Sequence, residues 1–447
     1  MTYLLPTLML LGLVCGIFTG YPVAFLLGGL SVLFMFLGDI PLASFALVTN
    51  RVFGSVLENW ILAAIPLFVF MGIMLDKSKI ADNLLYELEN LFRGKPGGLG
   101  LAVIGIGIVM AASTGIVGAS VVLMGTLALP MMLARGYDKT LAIGIILGSG
   151  TLGILVPPSI MLVVFGDVMQ VPVGDLFAAT IVPGMLLTLF YILYVVYHAV
   201  FRPHKVPASP VAATPQPLGR ILLRVLRDLV VPALLMLSVL VSIVAGIATP
   251  TEGAAIGAGG ALLLALFKRK LSLPVLGEGL RSTAKTTGMI LFLAIGATAY
   301  SLVFKRLGGQ SMIEDLVLAF GVSPYVVVLG IMLLIFVLGF FLEWIEISFL
   351  VLPLFAPIVA NLDFGPAFAS QSEVLLWFAV MVAVNLQTSF LTPPFGYALF
   401  YLKGAAPPGI STTDIYRGVI PIVGLQLLGV LAIALFPALA LWLPTVL

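Results

Sequence analysis

The chain has 447 residues, 61% of them hydrophobic and 9% charged, with 21 basic against 19 acidic side chains. A soluble domain carries about 25% charged residues, so a cytosolic enzyme, a secreted disulfide scaffold and a disordered hub are excluded. An all-α polytopic membrane protein surrounded by lipid remains, and a net charge of +2 without a long basic run offers nothing to nucleic acid.

Met1–Thr19 is apolar, lacks a basic flank and a small-residue cleavage site, and reads as a retained first span. Its Cys15 is the one cysteine, so it has no intrachain disulfide partner. A spanning helix needs roughly 20 mostly apolar residues. By that measure spans follow at 22–38, 60–76, 140–168, 176–201, 229–247, 253–267, 286–304, 374–402 and 415–443, with surface helices at 78–92 and 310–320. Two apolar stretches, 97–134 and 324–361, are nearly twice the length of a span and have broken middles: Ser113-Thr114-Gly115 in the first, Glu343-Trp344-Ile345-Glu346 in the second. Each is predicted to be a re-entrant hairpin. Irregular backbone at such depth survives only when buried in protein or facing a cavity. With residue 1 outside, eighteen Lys and Arg side chains fall inside, and Arg51, Lys305 and Arg306 remain outside. That satisfies the positive-inside rule.

The polar stretch 202–228, with VPASPVAATPQP, reads as a cytoplasmic linker between halves 1–201 and 229–447, each with five spans and one hairpin. An odd number of crossings starts the second half on the opposite side, which predicts an inverted repeat. The landmarks agree: LVPPS (155–159) answers LTPPF (391–395) at an offset of 236, and Pro183 answers Pro421 at 238. GYPVAFLLG (20–28) loosely answers TEGAAIGAG (251–259) at 231. Inverted repeats recur in secondary transporters, whose matching interrupted helices point to the binding site.

Both proline pairs interrupt a span, in GSGTLGILVPPS (148–159) and NLQTSFLTPPFG (385–396). Proline removes a donor and displaces a carbonyl from the helix ladder. A freed carbonyl in hydrocarbon is costly unless something binds it. Neighbouring helices can satisfy such a kink; a dehydrated sodium ion, a hard cation that prefers oxygen, is the other solution. Two breaks at matching positions, each near a hairpin, favour ion sites. Counted from the prolines, Gly153 matches Ser389 and Val156 matches Thr392. The first hairpin tip, with Ser113 and Thr114, offers hydroxyls that cap the returning limb or an N-terminus suited to an anion. Acids at membrane depth are expensive: Glu343 and Glu346 complete a cation site, hold a polar substrate or cap the second limb of hairpin two, with Glu346 fitting capping and packing and Glu343 open to all three. Asn385, Gln387 and Thr388 are either substrate-facing or interhelical hydrogen-bonding groups, and Thr151 is a further substrate candidate. No phosphate-binding loop, metal cluster or catalytic triad is present at depth, so no ATP motor and no enzyme is expected.

The segments 148–184, 339–359 (GFFLEWIEISFLVLPLFAPIV) and 385–404 (NLQTSFLTPPFGYALFYLKG) give the chain, over essentially its full length, a resemblance to the large membrane (M) subunit of tripartite ATP-independent periplasmic (TRAP) transporters. The resemblance implies an elevator-type carrier of the bacterial inner membrane, with both termini periplasmic. Its partners would be a small four-helix membrane (Q) subunit and a periplasmic substrate-binding (P) protein that delivers a carboxylate. Sodium, without any cofactor, would drive uptake. Carried over by position, one sodium site would use Ser113, Gly153, Val156 and Pro158, and the other Gly339, Ser389 and Thr392. Ser389 stands where family members often have glycine. Self-sufficient sodium–dicarboxylate carriage and a non-transporting membrane scaffold are the alternatives.

Overall fold

The computed structural model describes residues 3–41, 44–77, 87–88, 91–92, 94–114, 117–208, 218–319 and 323–447. These residues form twenty α-helices and no strand. The first half runs α1 (Leu4–Ile17), α2 (Val23–Leu37), α3 (Ser44–Val52, continuing into a π turn, Phe53–Leu57) and α4 (Ala64–Lys77). Then come α5 (Gly98–Thr114), α6 (Val117–Ala134), α7 (Lys139–Thr151), α8 (Ile160–Met169) and α9 (Val173–Phe201). The second half has α10 (Leu218–Val244), α11 (Pro250–Phe267), α12 (Leu273–Arg306), α13 (Gly309–Ala319) and α14 (Pro324–Leu338). It ends with α15 (Trp344–Leu350), α16 (Leu352–Ala360), α17 (Gln371–Ser389), α18 (Tyr397–Ala405), α19 (Thr412–Leu435) and α20 (Ala438–Val446). Six of these, α6, α9, α11, α12, α17 and α19, are long and apolar enough to cross a membrane.

Local chemistry sets the boundaries. Asp138 caps α7 by accepting from the Leu141 amide, and Thr249–Glu252 and Ser411–Asp414 form capping boxes at α11 and α19. Such side chains satisfy amides that have no intrahelical partner. The described helices differ from the expected stretches in three places. The last part of the stretch 202–228 is helical, since α10 begins at Leu218. Residues 415–443 are two helices, since Pro437, which cannot extend α19, starts a new turn. The stretch α3 with its π turn was not foreseen as an element. The surface helix expected at 78–92 lies largely outside the described residues, whereas its counterpart is α13.

Helices α2 and α12 pack together, and so do α4 and α11. A β-carbon on Gly296 of α12 would come within 2.7 Å of the Ala24 carbonyl of α2, so the absence of one lets the backbones touch. The interior is built differently. Leu141–Leu155 and Leu376–Leu391 are buried without interruption, so α7 and α17 are enclosed on every side by other helices. Helix α7 packs on α5, α6 and α19, and α17 packs on α14, α9 and α19. Gly144 of α7 faces Gly418 of α19 so closely that a β-carbon on either would meet the other helix's backbone oxygen at 2.4–2.5 Å.

Candidate ion and substrate site

At the first break, α7 ends at Thr151, tightens into a 3-10 turn (Leu152–Ile154) and resumes only at Ile160. The donors that an unbroken helix would bring to the carbonyls of Gly153 and Ile154 are missing, because Pro157 and Pro158 stand four residues on. Ile154 is compensated: the Ser159 hydroxyl donates to its carbonyl at 2.8 Å. Among the described residues, nothing donates to the carbonyl oxygens of Gly153, Val156 and Pro158. The limbs α5 and α6 of the first hairpin both pack against this turn. Ser113 and Thr114 end α5, but their side chains, with Gly115 and Ile116, lie outside the described residues.

The second break follows the same plan with different compensation. Helix α17 ends at Ser389 and α18 starts at Tyr397. The Thr392 amide donates to the Ser389 carbonyl (3.1 Å), the Ala398 amide to Phe390 (3.3 Å), and the Gly396 amide to Thr392 (3.1 Å). Ser389 and Thr392 use their hydroxyl hydrogens on the Leu386 and Thr388 carbonyls, at 2.9 and 2.8 Å, which leaves oxygen lone pairs available. Gly339, at the end of the first limb of hairpin two, sits directly against Ser389: a β-carbon there would fall 2.1 Å from Ser389 Oγ. Gly339, Ser389 and Thr392 are thus brought together. Both proline pairs are joined by cis peptide bonds.

The remaining candidates separate into two groups. Glu343 and Glu346 line a cavity of about 520 Å³ between α2 and α12 on one side and the two hairpins and α18 on the other, with Trp344, Tyr397 and Tyr401. Glu343 Oε1 accepts from the Tyr401 hydroxyl at 3.3 Å. Glu346 accepts from the Glu343 amide at 2.5 Å, and the two acids form a reciprocal capping box on α15. Thr151, Asn385, Gln387 and Thr388 lie elsewhere, fully inside the packed helices. Asn385 donates to the Met332 carbonyl at 2.8 Å, and Thr388 to Val384 at 2.9 Å. Gln387 donates to Thr151 Oγ1 at 3.1 Å. Their geometry is that of interhelical and intrahelical hydrogen bonding rather than of a cavity wall.

Some participants escaped the sequence reading. Ser159 was foreseeable as the residue ahead of a resuming helix, but its target, a carbonyl freed by proline, needs the fold. Tyr191 of α9 and Gln426 of α19, 2.9 Å apart, are buried at the same level and carry no local motif. A second cleft, about 730 Å³, lies between the π turn, the C-terminal part of α12 and α16. There Asn59 donates to Asp167 at 2.6 Å.

Comparison with known proteins agrees with this architecture. The family described as "Tripartite ATP-independent periplasmic transporter, DctM component" matches residues 10–439. The chain is 31% identical over 389 residues to the C4-dicarboxylate TRAP transporter large permease protein DctM of Pseudomonas aeruginosa, covering 87% of each. It is 28% identical over 429 residues to the sialic acid TRAP transporter large permease protein SiaM of Vibrio cholerae, covering 96% of each. The crystal structure of the Alcanivorax borkumensis YdaH transporter shares the fold, with a TM-score of 0.60 at 14% identity over 89% of this chain and 87% of that one. Paired broken helices, two hairpins and a family match over nearly the whole length lead to one conclusion: the chain belongs to the DctM family, the large membrane component of TRAP transporters.

Proposed function

We propose that this large permease takes up an organic acid in symport with sodium, handing on a carboxylate that a periplasmic binding protein presents. The carrying observation is the set of carbonyl oxygens at Gly153, Val156 and Pro158 to which nothing among the described residues donates. A sodium ion is a suitable partner for a group of backbone oxygens at membrane depth. Ser113 would add the hairpin's hydroxyl. At the second break, the Gly339 carbonyl and the Ser389 and Thr392 oxygens offer a similar donor set, all oxygen and uncharged.

An inverted repeat underlies this reading, and two features support it. The packing is crossed: α2 lies on α12 while α11 lies on α4, as expected if α2 corresponds to α11 and α4 to α12. Thr151 and Gln387, which touch, are separated by the same 236 residues as the two proline pairs. In an elevator mechanism the hairpins with α7–α9 and α17–α19 would move against α1, α2, α4 and α10–α12. The cavity at Glu343 and the cleft at Asn59 flank different stretches of α12, residues 286–293 and 297–305, which suits a site approached from either side in turn. Both termini would be periplasmic, and a small membrane subunit would brace the outer helices.

The substrate class follows the relatives' names, C4-dicarboxylate and sialic acid, both carboxylates. The test is uptake by proteoliposomes holding the chain, its small subunit and a candidate binding protein. An inward sodium gradient is expected to drive accumulation; equal uptake with choline in place of sodium overturns the proposal. Uptake without any binding protein would favour the self-sufficient carrier instead.

A further inference from the structure

Thr151 is the last residue of α7, two positions before Gly153, and Gln387 lies two positions before Ser389 in α17. Both are completely buried, and Gln387 Nε2 donates to Thr151 Oγ1 at 3.1 Å. Residues at matching places in two repeats can meet only near the axis that relates them. This contact therefore ties the two breaks together at their shared centre. It does not stand alone. Gln387 Nε2 also lies 3.5 Å from the Tyr191 hydroxyl, which accepts from Gln426 Nε2 at 2.9 Å. Four helices, α7, α9, α17 and α19, thus join in one enclosed polar cluster.

The cluster is incompletely satisfied. Gln387 Oε1 and Gln426 Oε1 are buried without a hydrogen-bond partner. The Tyr191 hydroxyl, drawn here as an acceptor from two amides, still has a proton to give. Turning the Gln387 amide would let its oxygen accept from Thr151, whose hydroxyl now serves the Leu147 and Gly148 carbonyls at 3.0 and 3.1 Å. Turning the Gln426 amide would let Tyr191 donate to it. A buried network that can pass to a second hydrogen-bond arrangement by turning two amides is the kind of element through which two sites influence each other.

We propose that the Gln387–Thr151 hydrogen bond couples the two ion sites, so that occupation of one break raises the sodium affinity of the other. The inference rests on the reading of both breaks as sodium sites. Ordering of the last turn of α7 around an ion fixes the Thr151 hydroxyl, which selects the orientation of the Gln387 amide and with it the last turn of α17. Thr151 and Gln387 are positioning residues here; neither ligates an ion.

The experiment is sodium-dependent uptake in the reconstituted three-component system, with Thr151→Val and Gln387→Met removing the bond from either side. One buried neutral hydrogen bond can carry about a 2- to 10-fold change in affinity. Each variant is expected to lower the sodium Hill coefficient towards 1 and to raise half-saturation by about that factor. Thr151→Ser, which keeps the hydroxyl, should retain cooperativity, and the double variant should be no worse than the single ones. Melting of the purified protein checks that each variant folds, and having the bond broken from two sides guards against failure of one. A Hill coefficient of 1 in the unaltered protein, or one above 1 that both variants leave unchanged, overturns the coupling while sodium symport stands. Uptake indifferent to sodium removes the underlying reading instead.

Discussion

Replacement of Gly339 by alanine tests the second break by geometry alone. The new methyl carbon would lie 2.1 Å from Ser389 Oγ and 2.8 Å from its Cβ, well inside van der Waals contact. Ser389 cannot yield easily, being fully buried and bonded to the Leu386 carbonyl at 2.9 Å. The backbone at Gly339 has φ −67°, which alanine adopts freely, so the cost is steric rather than conformational. Overpacking of this kind costs about 1–3 kcal/mol. The hairpin tip would have to withdraw from the break, separating the Gly339 carbonyl from Ser389 and Thr392. Half-saturating sodium is expected to rise about tenfold, equivalent to roughly 1.4 kcal/mol. The decisive arm is the double variant Gly339→Ala with Ser389→Gly, which removes the atoms struck by the new methyl. It should recover most of the stability lost by Gly339→Ala, read as the melting temperature. Normal sodium dependence and melting in Gly339→Ala, or a double variant worse than the sum of its parts, would refute the close approach and the site drawn from it.

Further outcomes follow from single atoms. Ser159→Ala leaves the Ile154 carbonyl buried without its donor and should lower stability by about 1–3 kcal/mol, read as the melting temperature of purified protein. Thr392→Ala removes a hydroxyl oxygen facing the second break and should raise half-saturating sodium about tenfold, equivalent to roughly 1.4 kcal/mol, with the fold intact. Glu343→Gln keeps an acceptor for the cap of α15 but removes a charge from the cavity wall, so uptake should fall about tenfold or more at unchanged melting temperature. Burial pushes the Asp138 carboxyl up, but bonds from Thr140 and the Leu141 amide, with nearby Lys205, outweigh it and hold its pKa below the ordinary value. A depressed carboxyl stabilises above its unfolded pKa and loses that contribution as pH falls through its folded one. Asp138→Asn should therefore lower melting at neutral pH, and the difference from the unaltered protein should shrink in acid.

The hairpins and breaks were legible because their signals are local. A proline pair inside an apolar span, or a polar middle in an overlong one, has few structural solutions: α7–α8 and α17–α18 break at the proline pairs, and 97–134 and 324–361 are divided into α5–α6 and α14–α16. Glu346 caps as expected, accepting from the Glu343 amide at the start of α15. What the sequence concealed is three-dimensional. Gln387 looked as able to face substrate as to bond another helix, and only the meeting of α7 and α17 decides in favour of Thr151. The partnership of Tyr191 with Gln426 spans 235 residues. The split at Pro437 was hidden by hydropathy, which stays high on both sides of it and cannot distinguish one helix from two.

Sodium at the two breaks is the claim on which the transport account turns. Equilibrium binding of radioactive sodium to the purified chain, without substrate or binding protein, addresses it directly. Two saturable sites are expected, one of them weakened by Thr392→Ala and by Gly339→Ala. No saturable binding, or full binding that neither substitution alters, would contradict it.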